Sequence, residues 1–240
     1  MKGRTVLVTG GAKGIGKATV FAFANAGYNV IVAYNSSEKA AYEIVGELQS
    51  REINCGAFCA DLTKRQDVEN LYERCKSVFG FVDTVINNAG VCHYNLATCD
   101  DYDDYDAVMN ANFGSVFGIC RLFARDMIDR QTGSIVNLSS VWGARGAATE
   151  SLYSASKSAI IGYTKALAKE LKPSGVRVNC VLPGYVQTDM NARFSQEEQA
   201  AALKSMRQKR ILTPEEVARE ILATAESEKT GRLVKVYGNN

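Results

Sequence analysis

Residues 5–16 read TVLVTGGAKGIG, a short β-branched run that leads directly into a cluster of glycines. Such a run predicts a buried strand, and the apolar spacing that follows, from Lys17 to Ala26, predicts a helix. Glycines between a strand and a helix let the backbone approach a diphosphate, while the N–H groups at the helix amino end attract its charge. The stretch therefore indicates either a dinucleotide site or an ordinary glycine-rich turn.

The alternation of strand and helix patterns continues along the whole chain. Further short runs, most of them β-branched, predict strands at Asn29–Tyr34, Cys55–Cys59, Thr84–Asn87, Ser134–Leu138, Val176–Val181 and Leu233–Tyr237. Helical spacing recurs at Lys39–Ser50, Gln66–Phe79 and Leu152–Leu171. Strands that alternate with helices predict right-handed βαβ units. Such units form a doubly wound Rossmann-type α/β fold, here a parallel sheet of about seven strands with helices on both faces. We find no repeat or linker, so we expect residues 1–240 to form one domain.

Composition argues against several classes of protein. The net charge is +2, and the densest charge run, Asp100–Asp106, is acidic, which we interpret as a solvated helix start; binding to nucleic acid is not expected. The seven cysteines include no CxxC pair and His93 is the only histidine, so neither disulfides nor a metal site is expected. Because no window offers the ~20 apolar residues of a membrane helix, we expect a soluble, cytoplasmic protein.

A possible catalytic pair lies in the longest predicted helix. Tyr153 and Lys157 stand four residues apart, on one face of that helix. An ammonium within ~4 to 6 Å is expected to lower the pKa of a phenol from about 10 toward the range useful for proton transfer. Taken alone, the pair could equally be an ordinary surface contact.

The joint pattern of motifs resembles the short-chain dehydrogenase/reductase family. Its parts are Thr9-Gly10-x-x-x-Gly14-x-Gly16, Asp61-Leu62, Asn87-Asn88-Ala89-Gly90, Asn112, Ser140, Tyr153-x-x-x-Lys157 and Pro183-Gly184 with Thr188. Together they extend over nearly the whole chain. The resemblance implies reduction of a carbonyl by hydride transfer from a nicotinamide.

The resemblance also implies which residues form the site. The catalytic residues are Asn112, Ser140, Tyr153 and Lys157: Ser140 binds the carbonyl oxygen, Tyr153 delivers the proton, Lys157 also holds the nicotinamide ribose, and Asn112 supports a water chain. The cofactor-binding residues are Gly10, Lys13, Gly14, Ile15, Gly16, Asn35, Ser36, Asp61, Leu62, Asn88, Ala89, Gly90, Tyr153, Lys157, Pro183, Gly184, Val186 and Thr188. Of these, Asp61 is expected at the adenine and Pro183-Gly184 at the carboxamide.

The end of the second predicted strand favours NADP (NADPH) over NAD. NAD-binding proteins place an acidic residue there to bind the ribose hydroxyls. Here the chain reads Tyr34-Asn35-Ser36-Ser37, and the first carboxylate is Glu38. Lys13 adds a cation within the glycine loop, where a 2′-phosphate would be attracted.

The substrate is the least determined feature. The segments from Thr188 to Phe194 and from Thr213 to Ala218 are similar to those of 3-oxoacyl-[acyl-carrier-protein] reductases, and the residues after Met190 are the natural lid. The resemblance implies an acidic acyl carrier protein as possible partner, with Arg130 near one expected contact.

Two departures from the pattern concern the partner and the assembly. Ser174 stands at the second expected basic position, with Lys169 and Lys172 nearby. The carboxyl-terminal region is shortened and ends in Val236-Tyr237-Gly238, where the family forms subunit contacts, so a homotetramer or dimer is expected.

Two alternative functions stay open. One is reduction of another small ketone, polyol or steroid, which the same residues would serve. The other is a non-catalytic NADP-binding protein, although binding alone gives no chemical reason for the Tyr–Lys pair.

Overall fold

A parallel sheet forms the centre of the computed structural model, which describes residues 3–191 and 194–239. Its strands are β1 (Thr5–Thr9), β2 (Asn29–Tyr34), β3 (Cys55–Cys59), β4 (Thr84–Asn87), β5 (Gly133–Leu138), β6 (Val176–Pro183) and β7 (Leu233–Val236). Their order across the sheet is β3-β2-β1-β4-β5-β6-β7, and all neighbours run parallel. The predicted doubly wound fold is confirmed.

Helices cover both faces of the sheet. They are α1 (Gly14–Asn25), α2 (Glu38–Ser50), α3 (Arg65–Phe79), α4 (Tyr102–Met109), α5 (Ser115–Asp129), α6 (Val141–Arg145), α7 (Ser151–Leu171), α8 (Gln196–Met206) and α9 (Pro214–Glu226). The apolar faces of α3, α5 and α7 form one core with the sheet, and those of α1, α2 and α9 form the other. Of the shorter helices, α6 and α8 pack against each other beside Tyr185, in the segment that follows β6.

Strand order reverses between β1 and β4, which opens a crevice at their carboxyl ends. Thr9 closes the base of this crevice: its hydroxyl donates to the Ile86 carbonyl at 3.3 Å and accepts from the Asn88 and Ala89 N–H groups at 3.0 and 3.1 Å. The Asn88 amide donates in turn to the carbonyls of Thr9 and Gly10. The two motifs are therefore locked together where a ligand can reach them.

The acidic run is a capped helix start, as predicted. Asp101 accepts from the Asp104 N–H at 2.9 Å and the Asp104 carboxylate accepts from the Asp101 N–H, which together cap α4. Its neighbour Asp100 accepts a hydrogen bond from the only histidine, His93, at 2.8 Å.

The continuous helical run Tyr102–Asp129 is the one helix of the described residues that is long and apolar enough, by composition alone, to cross a membrane. Half of its most apolar window is buried inside the fold. The core contains four apolar side chains of α5: Val116, Ile119, Phe123 and Met127. This packing accounts for the apolar composition of the run. Ala192 and Arg193, in the segment predicted as a lid, lie outside the described residues.

Candidate active site

A cavity of about 440 Å³ opens at the carboxyl ends of the central strands. Most of the predicted site residues line it together: Gly10, Lys13, Gly14, Ile15, Gly16, Asn88, Ala89, Gly90, Ser140, Tyr153, Lys157, Pro183, Gly184, Val186 and Thr188. These residues come from five separate segments of the chain, so it is the sheet topology that brings them to one place.

The glycine loop fits the close approach of a diphosphate. A Cβ atom at Gly16 would lie 2.1 Å from the Gly10 carbonyl oxygen and 2.6 Å from the Asn88 amide nitrogen, so no larger residue fits. Gly10 itself has a φ of 62°, a conformation that favours glycine. Lys13 precedes α1 without capping it by a side chain, which leaves the N–H groups of the first turn available to an anion. These features match the nicotinamide dinucleotide implied by the motifs.

Some predicted cofactor residues lie elsewhere. Ser36 lines a shallow depression that it shares with Lys13, and Asn35 is exposed beside it. The Asp61 carboxylate accepts from the Thr63 hydroxyl at 2.7 Å, and this bond is the main reason that the pKa of Asp61 lies below its usual range. Leu62 packs against the core. Neither Asp61 nor Leu62 lines the cavity, so their part in adenine binding stays a prediction.

Ser140 and Tyr153 face each other in the cavity. Ser140 caps α6, where its hydroxyl oxygen accepts from the Trp142 N–H at 3.1 Å, and this fixes its position. Burial raises the pKa of Tyr153 far above its ordinary value, while a hydrogen bond with Ser140 acts in the opposite direction. At neutral pH the phenol is therefore protonated, which is the form required of a proton donor.

Lys157 is buried beside the same phenol. Its ammonium donates to the Leu138 carbonyl at 3.2 Å and lies 5.7 Å from the centroid of the Tyr153 ring. Burial lowers the pKa of Lys157 to about 8. The expected lowering of the Tyr153 pKa is wrong for this structure: the pKa is raised, and the main cause is desolvation of the buried phenol.

Asn112 lies behind the cavity wall, where it organises the loop after β4. It sits in a π-helical turn, Asn110–Gly114, between α4 and α5. Its side-chain oxygen accepts from the Val91 N–H at 2.7 Å, and its amide donates to the Val91 carbonyl at 3.1 Å and to the Ser156 hydroxyl at 2.9 Å. The residue therefore ties the loop that follows Gly90 to the helix that carries Tyr153.

Sequence reasoning missed the aromatic part of the cavity. Tyr94, Trp142, Tyr185 and Phe194 also line it, and the rings of Tyr94 and Phe194 meet edge to face at 5.2 Å. A signal was present for two of these residues, since Trp142 follows Ser140 by two positions and Tyr185 directly follows Gly184. The aromatic wall leaves room for an apolar substrate segment next to the polar residues.

Comparison with known proteins agrees with this geometry. The family model for short chain dehydrogenases matches residues 4–199. A 3-oxoacyl-[acyl-carrier-protein] reductase of Thermotoga maritima is 35% identical over 241 residues, covering 99% of this chain and 98% of the relative. Proteins of the same name from Chlamydia muridarum and Staphylococcus epidermidis are 33% and 32% identical, each over 98% of this chain and over 96% and 98% of the relative. The chain belongs to the short-chain dehydrogenase family, oxidoreductases that use a nicotinamide cofactor on C=O and CH–OH groups.

Proposed function

We propose that this protein is an NADPH-dependent 3-oxoacyl thioester reductase, a 3-oxoacyl-[acyl-carrier-protein] reductase of fatty-acid synthesis. The observation that carries the proposal is the placement of Ser140, Tyr153 and Lys157 in one cavity with the glycine loop. The full-length similarity to relatives of that name supports the choice of substrate. We further propose that the whole chain, residues 1–240, acts as one domain.

The chemistry would follow from the positions of these side chains. A nicotinamide held by the glycine loop would supply a hydride to the carbonyl carbon. As the hydride adds, the electron pair of the C=O bond moves onto oxygen, where the Ser140 hydroxyl donates a hydrogen bond. Tyr153 gives that oxygen its phenolic proton, which completes the alcohol. The nearby charge of Lys157 then stabilises the phenolate until it is protonated again, through a water chain supported by Asn112.

The preference for NADPH rests on charge at the end of β2. Lys13 and Ser36 line one depression, where an ammonium and a hydroxyl could bind a 2′-phosphate. Lys39 and two carboxylates, Glu38 and Glu43, line the same depression. The Tyr34 hydroxyl donates to the Glu38 carboxylate at 3.5 Å. No acidic residue occupies the strand end itself, where NAD-binding proteins hold the ribose.

Partner, assembly and compartment complete the proposal. Arg130 is exposed, with its guanidinium 4.5 Å above the Phe81 ring, and offers a cation to an acidic carrier protein. Phe117, on α5, is 49% exposed, an apolar surface compatible with a dimer or tetramer. All seven cysteines are free thiols, which suits the cytoplasm.

The direct test follows NADPH oxidation by absorbance with an acetoacetyl thioester as substrate and NADH in parallel. We expect turnover with NADPH, and a kcat/KM for NADPH about tenfold or more above that for NADH. Binding of NADPH without any oxidation would overturn the proposed substrate and direct the search to other ketones and alcohols.

Replacing Lys13 by Ala tests the cofactor preference in the same assay. We expect the KM for NADPH to rise about three- to tenfold, because an exposed cation on the phosphate is lost, while the KM for NADH stays the same. Lys17→Ala is the matched control, since Lys17 is an exposed lysine one turn farther along α1 and outside both cavities. A parallel loss with both cofactors in Lys13→Ala would contradict a phosphate-binding role.

A further inference from the structure

Tyr185 is held by its backbone in an unusually fixed position. Its N–H donates to the side-chain oxygen of Gln208 at 2.9 Å, and the Gln208 amide donates back to the Tyr185 carbonyl at 2.9 Å. Gln208 is itself buried. A Cβ atom at Gly184 would lie 2.0 Å from the same Gln208 oxygen, so the preceding glycine is required for this arrangement. The Tyr185 side chain therefore projects from a rigid support.

The hydroxyl of this side chain lacks a partner. Tyr185 is 5% exposed, packs against Trp142 and Met206, and lines the cavity. Its hydroxyl is the one buried side-chain oxygen or nitrogen in residues 3–191 and 194–239 that makes no hydrogen bond. Buried polar groups are almost always satisfied, and an orphaned one beside a cavity points to a ligand that completes it.

This hydroxyl is a donor at any physiological pH. Burial raises the pKa of Tyr185, and the negative charge of Glu198, on the cavity side of α8, raises it further. The phenol thus keeps its proton and can donate it in a hydrogen bond to a ligand oxygen.

Tyr185 and Tyr153 belong to the same cluster of packed side chains between α6 and α8. Two phenolic donors that line one cavity suit a substrate with two acceptor oxygens close together. A 3-oxoacyl thioester has such a pair, because its ketone and thioester carbonyls are separated by a single methylene. A simple ketone has only one.

We propose that Tyr185 is a specificity-determining residue whose hydroxyl donates to the thioester carbonyl oxygen while Ser140 and Tyr153 hold the ketone oxygen. The inference rests on the proposed function and adds to it the feature by which the site selects 1,3-dicarbonyl compounds over simple ketones. Removing such a hydrogen bond lowers kcat/KM for the substrate that makes it. For an analogue that cannot make it, kcat/KM changes less.

Tyr185→Phe tests this with two substrates. One is acetoacetyl-N-acetylcysteamine, and the other is its thioether analogue, in which a methylene replaces the thioester carbonyl. We expect the variant to lower kcat/KM for the thioester about five- to tenfold and to leave the analogue within about twofold of the wild type. Because the lost hydroxyl is unsatisfied in the protein alone, the variant is expected to melt at the same or a higher temperature.

Tyr163→Phe is the matched control, since Tyr163 is a half-buried phenol outside the cavity. It should leave both substrates within about twofold of the wild type. An equal loss on thioester and analogue in Tyr185→Phe, or no loss on the thioester, would overturn the inference.

Failure of the proposed function can be told apart from failure of the inference. If the wild type reduces neither compound, the proposed function falls, and the comparison is read from calorimetric binding of both compounds to the NADPH-loaded protein. Weaker binding of the thioester to Tyr185→Phe, with the analogue unchanged, supports the inference. Equal affinity of the variant and the wild type for the thioester overturns it.

Discussion

Tyr153→Phe is expected to reduce kcat about a thousandfold, which is the scale on which a positioned proton donor contributes. The variant keeps the ring that packs between Ser140 and Lys157 but has no proton to give to the carbonyl oxygen. NADPH binding should change by less than about threefold, because the glycine loop on the other side of the cavity is untouched. Single-turnover absorbance and fluorescence titration of NADPH measure the two effects separately.

The control for this variant lies on the same helix. Tyr163→Phe removes a phenolic oxygen from α7 two turns beyond Lys157, away from the cavity, and should retain normal turnover. Turnover near the wild-type rate in Tyr153→Phe would exclude the phenol as proton donor and would transfer attention to a water molecule held by Ser140.

Gly16→Ala is expected to abolish measurable NADPH binding, which corresponds to a loss of about a hundredfold or more. The added Cβ would meet the Gly10 carbonyl at 2.1 Å and the Asn88 amide at 2.6 Å, both held in place by the hydrogen bonds that join β1 to the β4 loop. The clashes can be relieved only if the loop moves away from α1. That movement would disorder the N–H groups expected to bind the diphosphate. Equilibrium titration with NADPH, together with thermal unfolding, checks the prediction.

Gly46→Ala provides the comparison. Gly46 lies inside α2, and a Cβ there would meet nothing within 4 Å. Alanine should therefore leave NADPH binding unchanged and raise the free energy of unfolding by about 0.5 to 1 kcal/mol, as expected for a glycine in a helix. If Gly16→Ala bound NADPH as well as Gly46→Ala does, the glycine loop would have no role in holding the cofactor.

Pattern and spacing were sufficient for the strands. The predicted bounds of β1, β2, β3 and β4 agree with the structure. β1, β2 and β4 are short runs rich in β-branched residues, and β3 is a short run without any. Helix starts were less accurate: α1 begins at Gly14, whereas Lys17 was predicted. Glycine has a low helix propensity, so the sequence hides a first turn that the packing of Gly16 against Gly10 imposes.

Two features of the site depend on burial and tertiary contacts and could not be predicted from the sequence: the direction of the Tyr153 pKa and the turn at Asn112. The four-residue spacing placed Tyr153 and Lys157 on one face, but it gave no measure of how deeply both would be desolvated, and so the direction of the Tyr153 pKa was wrong. In the same way, the π-helical turn at Asn112 depends on hydrogen bonds to Val91 and Ser156, which are distant in the chain. Neither the desolvation of the pair nor these long-range hydrogen bonds can be recognised from the neighbouring residues in the sequence.

The strand order has a consequence for how the chain matures during synthesis. Val6 in β1 pairs with Thr84 in β4, so the middle of the sheet cannot close until the ribosome has delivered the first four strands. In the interval β1, β2 and β3 form a partial sheet with an open, apolar edge at its future centre. Parallel pairings between distant residues also form slowly. Aggregation of the newborn protein should therefore begin at β1, which lies between β2 and β4 in the finished sheet.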